Sequence, residues 1–522
     1  MTSPGPIEEL PRGVRTITGV ATSIAAFVGR AQRGPVSTPV TITSFADFTS
    51  IFGGLWLGGT MGYAVRDFYL NGGRTAVIVR VIHSNDANAT KNAAKAGVAF
   101  AGCLSLSAAN EGAWGNRLRV RSDNNVAAEV AASFGLTAAD LFNLSVHDVE
   151  SGVIETFRNV TVKDSPQRVD KVLLNQSSLV TVSGALTKVP PPSGNRPPPG
   201  KTVWDDNTTS TGADGKGADG AGVVESDIAS DILRTAKQGL YALLNTDLFN
   251  ILCIPPYTAS GDVDTDLVGR AATLCEKRRA MLLVDSPSTW TSSVPAQTGV
   301  SGLGTKSANA AVFFPRLKEP DPLRNNQIET FVSCGAVAGI FARTDAQRGV
   351  WKAPEGIDAT LVGVVDVSVP MTERENGLLN ALGINCLRIL PAAGAVVRGS
   401  RTLEGDDGLA SQWKYVPVRR FALFIEESVL RGTQWVVFEP NDNQLWAQIS
   451  TNVSDFMQVL FRQGAFQGKT PQSAYFVKCD GETTTQSDIN LGVVNIVVGF
   501  APLKPAEFVI FQIQQMAGQI ES

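Results

Sequence analysis

Apolar runs of strand length recur in the first sixth and the middle of the chain, alternating with segments of helical spacing. Thr22–Val28 and Thr75–Ile82 are almost continuously apolar, which predicts strands buried on both faces. Between them, Val40–Thr43 reads as a short strand and Ser44–Phe52 as a helical turn. Thr60 is placed to cap a helix to Leu70, with Ala64, Val65, Phe68 and Tyr69 at core spacing and Gly72-Gly73 as its stop. The same rhythm returns as helix Ser226–Leu244, strand Phe249–Ile254, helix Val263–Arg278, strands Ala280–Val284 and Ala310–Pro315, and helix Glu329–Arg343. It predicts an α/β layer with parallel strands, assembled from residues 21–84 and 226–365 as one discontinuous domain.

Residues 85–225 break the rhythm. Short strand-like runs (Leu118–Val120, Leu141–His147, Thr156–Val162, Leu179–Ser183) alternate with polar turns, and 190–222 is rich in Pro, Gly, Ser, Thr and Asp. An inserted, β-rich outer domain carrying a flexible loop with little to bury is the expectation. From about Met371 the pattern becomes α+β: strand Gly383–Leu390, amphipathic helix Val416–Arg431, strand Thr433–Phe438, helix 442–463 capped by Asn441, and strands Ala474–Cys479 and Val493–Phe500. Residues 1–20 read as an extended arm. At the other end, Val509, Phe511 and Ile513 share one face of a strand and Phe508 and Ile510 the other, downstream of Pro502 and Pro505. A strand apolar on both faces at a chain end needs a partner, in this chain or in another copy of it.

Composition narrows the function. The 522 residues are 43% hydrophobic and 18% charged, with a net charge of -4, which points to a globular chain whose main partner is not nucleic acid. Six dispersed cysteines lie mostly in apolar runs and read as buried reduced thiols. No apolar run approaches a membrane span, and the first twenty residues lack a secretory pattern, so synthesis in the cytoplasm without membrane insertion is expected.

Candidate chemistry is sparse. His83 and His147 are the only histidines, neither at metal-ligand spacing, and His83 reads as an ordinary hydrogen-bonded residue at a strand end. Gly299–Ser307 has the glycines of a phosphate loop, but Thr305 separates Gly304 from Lys306 and no strand-to-helix junction frames it. No catalytic, metal or cofactor residue is assigned. Arg343, Arg348, Arg419, Arg420 and Arg462 are candidates for contact with a neighbouring subunit or an inner partner.

Eight segments in order resemble one family: TSIAAFVGRAQRGP (22–35), FGGLW (52–56), YAVRDFYLNGGRTAVIVRV (63–81), AWGNRLRV (113–120), GIFARTDAQRGVWKAPEG (339–356), RRFALFIEESVLRGTQWVVFEPND (419–442), LFRQGAFQGKTPQSAYFVKCD (460–480) and APLKPAEFVIFQI (501–513). The family is the contractile tail sheath protein of contractile-tailed bacteriophages, R-type bacteriocins and phage-tail-like injection systems. The resemblance implies a discontinuous subtilisin-like α/β domain (21–84 and 226–365), an inserted β-rich domain (85–225), a C-terminal α+β sheath domain (366–500), and arms at 1–20 and 501–522. It implies a homo-oligomeric helical sheath around an inner tube, with baseplate and tail-terminator proteins as partners, no cofactor and no enzymatic activity. Ser307 echoes a subtilisin serine segment without the histidine that would activate it. The arms, through Phe508, Val509, Ile510, Phe511, Ile513 and Ile7, would exchange strands with adjacent subunits. Gly5-Pro6-Ile7-Glu8-Glu9 departs from the aromatic run usual in the family's N-terminal arm.

Overall fold

A computed structural model describes residues 16–84 and 86–506; Ile7 and the run Phe508–Ile513 lie outside the described residues. The apolar runs become the strands of one eight-stranded sheet. In chain order they are β1 (Ala25–Gly29), β2 (Val40–Ile42), β3 (Ala76–Arg80), β4 (Ile251–Cys253), β5 (Met281–Asp285), β6 (Ala310–Phe314), β7 (Ile384–Leu390) and β8 (Gly394–Arg398). Across the sheet the order is β8-β7-β6-β5-β4-β1-β3-β2. The six inner strands are parallel, and antiparallel β2 and β8 form the edges.

Alternation along the strands sorts the core into two layers. Phe27, Ile78, Ile251, Leu283 and Phe313 meet helices Phe45–Phe52, Met61–Leu70 and Cys334–Arg348. On the other side Val28, Val79, Leu252, Leu282 and Val312 meet helix Thr265–Arg278 and the 3-10 turn Gly239–Asn245. Helices 61–70 and 334–348 cross very closely. A Cβ on Gly335 would lie 2.0 Å from the Ala64 carbonyl oxygen, and one on Gly339 2.6 Å from that of Phe68.

Residues 97–212 form two antiparallel sheets around their own core, which includes Val98, Leu106, Trp114, Phe142 and Leu144. The chain enters and leaves this part at one place, where Gly220 packs against the His83 carbonyl. The 190–222 stretch is mostly loop, with one short strand and an isolated bridge at Ala218. Thr211–Gly212 adds a strand to Leu118–Asp123, and Arg121 donates to the Thr209 carbonyl at 2.6 Å. Within the loop Thr202 donates to Asp205 and Thr208 to Asp206.

The C-terminal part is built on helices Val416–Gly432 and Asn443–Arg462, packed through Phe421, Ile425, Leu445, Ile449, Val453 and Met457. Ile17 is buried in this same cluster and the Val20 amide donates to Ser428 Oγ at 3.1 Å, so residues 16–20 lie along helix 416–432.

Several elements fall elsewhere than the periodicity suggests. The expected helix Glu329–Arg343 is instead strand Gln327–Phe331, paired with Leu317–Asp321 in a hairpin, followed by helix 334–348. The start of that helix is set from a distance, because Asp285 accepts from the amides of Ser333 and Cys334 at 2.8 and 2.9 Å. Helix Ser226–Leu244 is broken into Glu225–Ile228, Asp231–Ala236 and the 3-10 turn, with Ser230 capping the second piece and left-handed Lys237 ending it. Thr433–Phe438 is not a strand: Gln434–Val436 makes a 3-10 turn and Phe438 turns left-handed at φ 73°. Asp442, not Asn441, caps the long helix, while Asn441 accepts from Trp446 Nε1 and donates to the Val493 carbonyl. The expected strand Val493–Phe500 shortens to Val497–Phe500.

Candidate interaction surface of the C-terminal part

Beyond helix 443–462 lies a small exposed sheet. Strands Tyr475–Lys478 and Val497–Phe500 pair antiparallel, Tyr475 opposite Phe500, and among the described residues this sheet has only these two strands. Its inner face rests on the core through Tyr475, Val477, Val498 and Phe500. Outward, Phe476 and Val497 are exposed. Backbone donors and acceptors on the outer sides of both strands therefore lack ladder partners among the described residues, which is the condition under which an added strand gains hydrogen bonds.

From Phe500 the chain runs along its own module. The Ala501 amide donates to the Ala474 carbonyl, the Gln467 amide to that of Ala501, and Pro502 bridges to Phe466. Leu503–Ala506 then line a cleft of about 830 Å³ whose other walls include Arg348, Trp351, Lys352, Glu373 and Arg398. Pro502 and Pro505 bias this stretch to extended backbone. Nearby in sequence, Val437 and Phe438 project outward, Phe438 fully exposed on its left-handed backbone. A bulky side chain held in that conformation without contacts is strained and unrewarded inside the single chain.

The five candidate arginines separate by setting. Arg343 donates to the Thr360 carbonyl at 2.7 Å, and burial lowers its pKa. Arg348, exposed, faces Asp358 at 3.8 Å, and with Arg343 and Lys352 it lines a second cleft. Arg419 donates to Asn309 at 2.9 Å and stacks over Trp413. Arg420 is buried, pairs bidentately with Asp345 at 2.9 and 2.6 Å, and donates to the Thr22 carbonyl. Arg462 is exposed at the end of the long helix. The structure thus gathers Arg343 and Arg348, turns Arg420 inward and leaves Arg462 apart.

No catalytic set is assembled around Ser307. Its hydroxyl donates to Glu276 at 2.5 Å and accepts from the Asn309 amide. His83 is engaged by Asp227 at 2.8 Å, which raises its pKa, and by Asp86, while His147 packs on Trp204. Burial pushes the Cys386 thiol up to about 12 and that of Cys479 up to about 11, far from the thiolate a nucleophile needs. Among the described residues no group of three or more His, Cys, Asp or Glu side chains could hold a metal ion, and no helix is long and apolar enough to cross a membrane.

Phe438 and the exposed sheet edges were not singled out by periodicity. The 433–438 run has strand composition, and a left-handed aromatic carries no sequence signal of its own.

The family model described as phage tail sheath protein central domain matches residues 235–403, and that of the phage tail sheath C-terminal domain matches 410–516; together they span just over half of the chain. A tail sheath protein of Burkholderia phage BcepMu is 25% identical over 478 residues, covering 88% of this chain and 86% of the relative. A sheath tail protein from Listeria innocua has a similar fold, with a TM-score of 0.61 at 14% identity over 94% of this chain and 96% of the other. The sheath complex of the extracellular contractile injection system PVC, in its contracted state, gives 0.59 at 19% identity over 99% and 98%. By its matched domains and relatives, the chain belongs to the contractile tail sheath protein family.

Proposed function

We propose that the chain is the repeating subunit of a contractile sheath, polymerising helically around an inner tube and contracting to drive that tube through a target envelope. The observation that carries this reading is the two-stranded sheet 475–478/497–500, unpaired on both outer sides among the described residues, beside the extended exit at 501–506. Strand exchange supplied by 501–522 of an adjacent copy, through Phe508, Val509, Ile510, Phe511 and Ile513, would complete such a sheet. The N-terminal arm, including Ile7, would contribute at the same joint. Arg348 and Arg462 have the exposure suited to contact with neighbours or tube. Arg343 and Arg419 would act at the rim of the same surface and Arg420 beneath it.

In this reading residues 21–84 and 226–365 form a subtilisin-like domain whose sheet is completed by β7 and β8 at 384–398, 85–225 an outer insertion, and the remainder of 366–500 the domain nearest the tube. The parallel sheet with helices on both faces supports the first assignment. The setting of Ser307 supports a structural rather than enzymatic role, because the fold alone does not confer chemistry. Synthesis and assembly in the cytoplasm, with a baseplate and a terminator protein at the two ends, complete the proposal.

Removal of residues 507–522 tests it. The expected result is an unchanged cooperative melt with loss of ordered polymers by sedimentation and negative-stain imaging. Regular tubes from the shortened chain would overturn strand exchange, and loss of the melt would assign the segment to its own chain's core.

A further inference from the structure

Helix 61–70 reaches the hairpin 317–331 through three side chains. Tyr63 donates to Asp321 at 2.9 Å and stacks on Phe331 with ring centroids 4.8 Å apart. The Arg66 guanidinium lies over both rings and forms ion pairs with Asp67 at 2.7 Å and with Glu319 at 2.5 Å. One cation therefore serves two carboxyl groups, each only 1% exposed. In both acids one oxygen meets Arg66, while the other, Asp67 Oδ2 or Glu319 Oε1, is buried with no donor. The same Arg66 Nη2 meets both acids, Asp67 Oδ1 at 2.7 Å and Glu319 Oε2 at 2.5 Å, which sets the two carboxyls side by side.

Two anions so placed repel and are stripped of water, and a single proton between them removes both penalties. We infer that Asp67 and Glu319 share one proton, so that the hairpin 317–331 is fastened to helix 61–70 by a carboxyl–carboxylate hydrogen bond that exists only while that proton is held. It explains both orphaned oxygens at once. Burial, with the Asp67 charge second, pushes Glu319 up to about 9, and Asp67 is also raised by burial, so at neutral pH the pair as a unit keeps one proton.

The other charges around the pair are accounted for. Asp321 accepts from Tyr63 and the Leu323 amide and faces Arg324, and Glu329, opposite Glu319 in the hairpin register, pairs with Arg324 in solvent. Helix 334–348 carries its charges in its second half, where Arg343 is held by Thr360, Asp345 by Arg420, and Arg348 faces Asp358. On helix 45–52, Asp47 is taken by Thr43. Among the described residues Arg66 is the one cation touching the pair.

Ionisation releases the proton to solvent and leaves two carboxylates against one guanidinium. Because the folded-state pKa of Glu319 lies above its unfolded value, its contribution to stability is complete below the unfolded pKa. That contribution declines as the pH rises toward about 9. The strain falls on the hairpin root, and the hairpin tip carries Arg324, a tryptic site near half exposure.

The test compares the full-length chain with Glu319→Gln and Asp67→Asn. Each amide supplies a permanent donor to the remaining carboxylate, so one variant covers for the other should it fold poorly. In the parent, the melting temperature should fall and cleavage after Arg324 should rise between neutral pH and about pH 10. In either variant both dependences should flatten. Infrared spectra at neutral pH should show the C=O stretch of a protonated carboxyl that disappears in Glu319→Gln. Parallel pH slopes in parent and variants, or an unchanged carboxyl band, would overturn the proposal.

Discussion

Arg420 and Asp345 show how far one residue's role depends on which way it faces. Both side chains are almost wholly buried, and two hydrogen bonds join them. A lone charge left there by substitution has neither partner nor water. Arg420→Ala should therefore lower stability by about 3–5 kcal/mol in denaturant titrations, and Asp345→Ala by a similar amount. The double substitution should cost clearly less than the two single costs added together, and strict additivity would show that the pair is not coupled. The inward turn was partly legible. Pro417 and Leu423, buried on the same helix, stand three positions either side of Arg420 and within about 60° of it, whereas Arg419 lies about 100° away. The identity of the partner was not, because Asp345 belongs to another helix and the pairing is made only by the fold. Separation in sequence likewise hid Asp67 from Glu319.

At the scale of elements, the buried parallel strands were the easiest to read, because near-continuous apolar runs of that length have few other uses. The errors cluster where a boundary is set by a group from elsewhere. Asp285 starts helix 334–348 by accepting from its first amides, and the preceding residues are thereby freed to form the hairpin. A shift of five residues followed. The glycines of this helix carry a consequence that composition alone would not suggest. Gly335 and Gly339 let it approach helix 61–70 until backbone meets backbone, with no room for a methyl group. Gly339→Ala should destabilise by about 1–3 kcal/mol or more despite alanine's better helix propensity, and Gly335→Ala at least as much. Gly377, on a helix where a Cβ meets nothing within 4 Å, is the control and should be neutral or slightly stabilised as Ala. Equal effects at all three positions would refute the close-crossing account.

For the molecule as a whole, eight separated segments carried the family resemblance, and one of them, 113–120, falls in the 97–212 part, which otherwise showed as a change of rhythm with short strand-like runs. It has its own core and a neighbouring entry and exit at His83 and Gly220. Its ties to the eight-stranded sheet include the buried Arg33–Asp148 pair and an Arg80 hydrogen bond to the Glu111 carbonyl. Replacing residues 86–219 by a short flexible link should leave a protein that still unfolds in one cooperative transition, with Arg33 and Arg80 newly hydrated. A non-cooperative melt would mean the remainder depends on the excised part for its fold.

The packing of Ile17 and of residues 501–506 on one and the same C-terminal module has a mechanical meaning. In a polymer linked through both chain ends, tension enters and leaves each subunit at neighbouring points. The route between them runs through helix 416–432, the residue 16–20 leg and the small two-stranded sheet. The 97–212 part, with its own core, hangs outside that circuit, whereas the eight-stranded sheet is bolted to it where Arg420 pairs with Asp345 and holds the Thr22 carbonyl, so a pull along the joints would reach the sheet first.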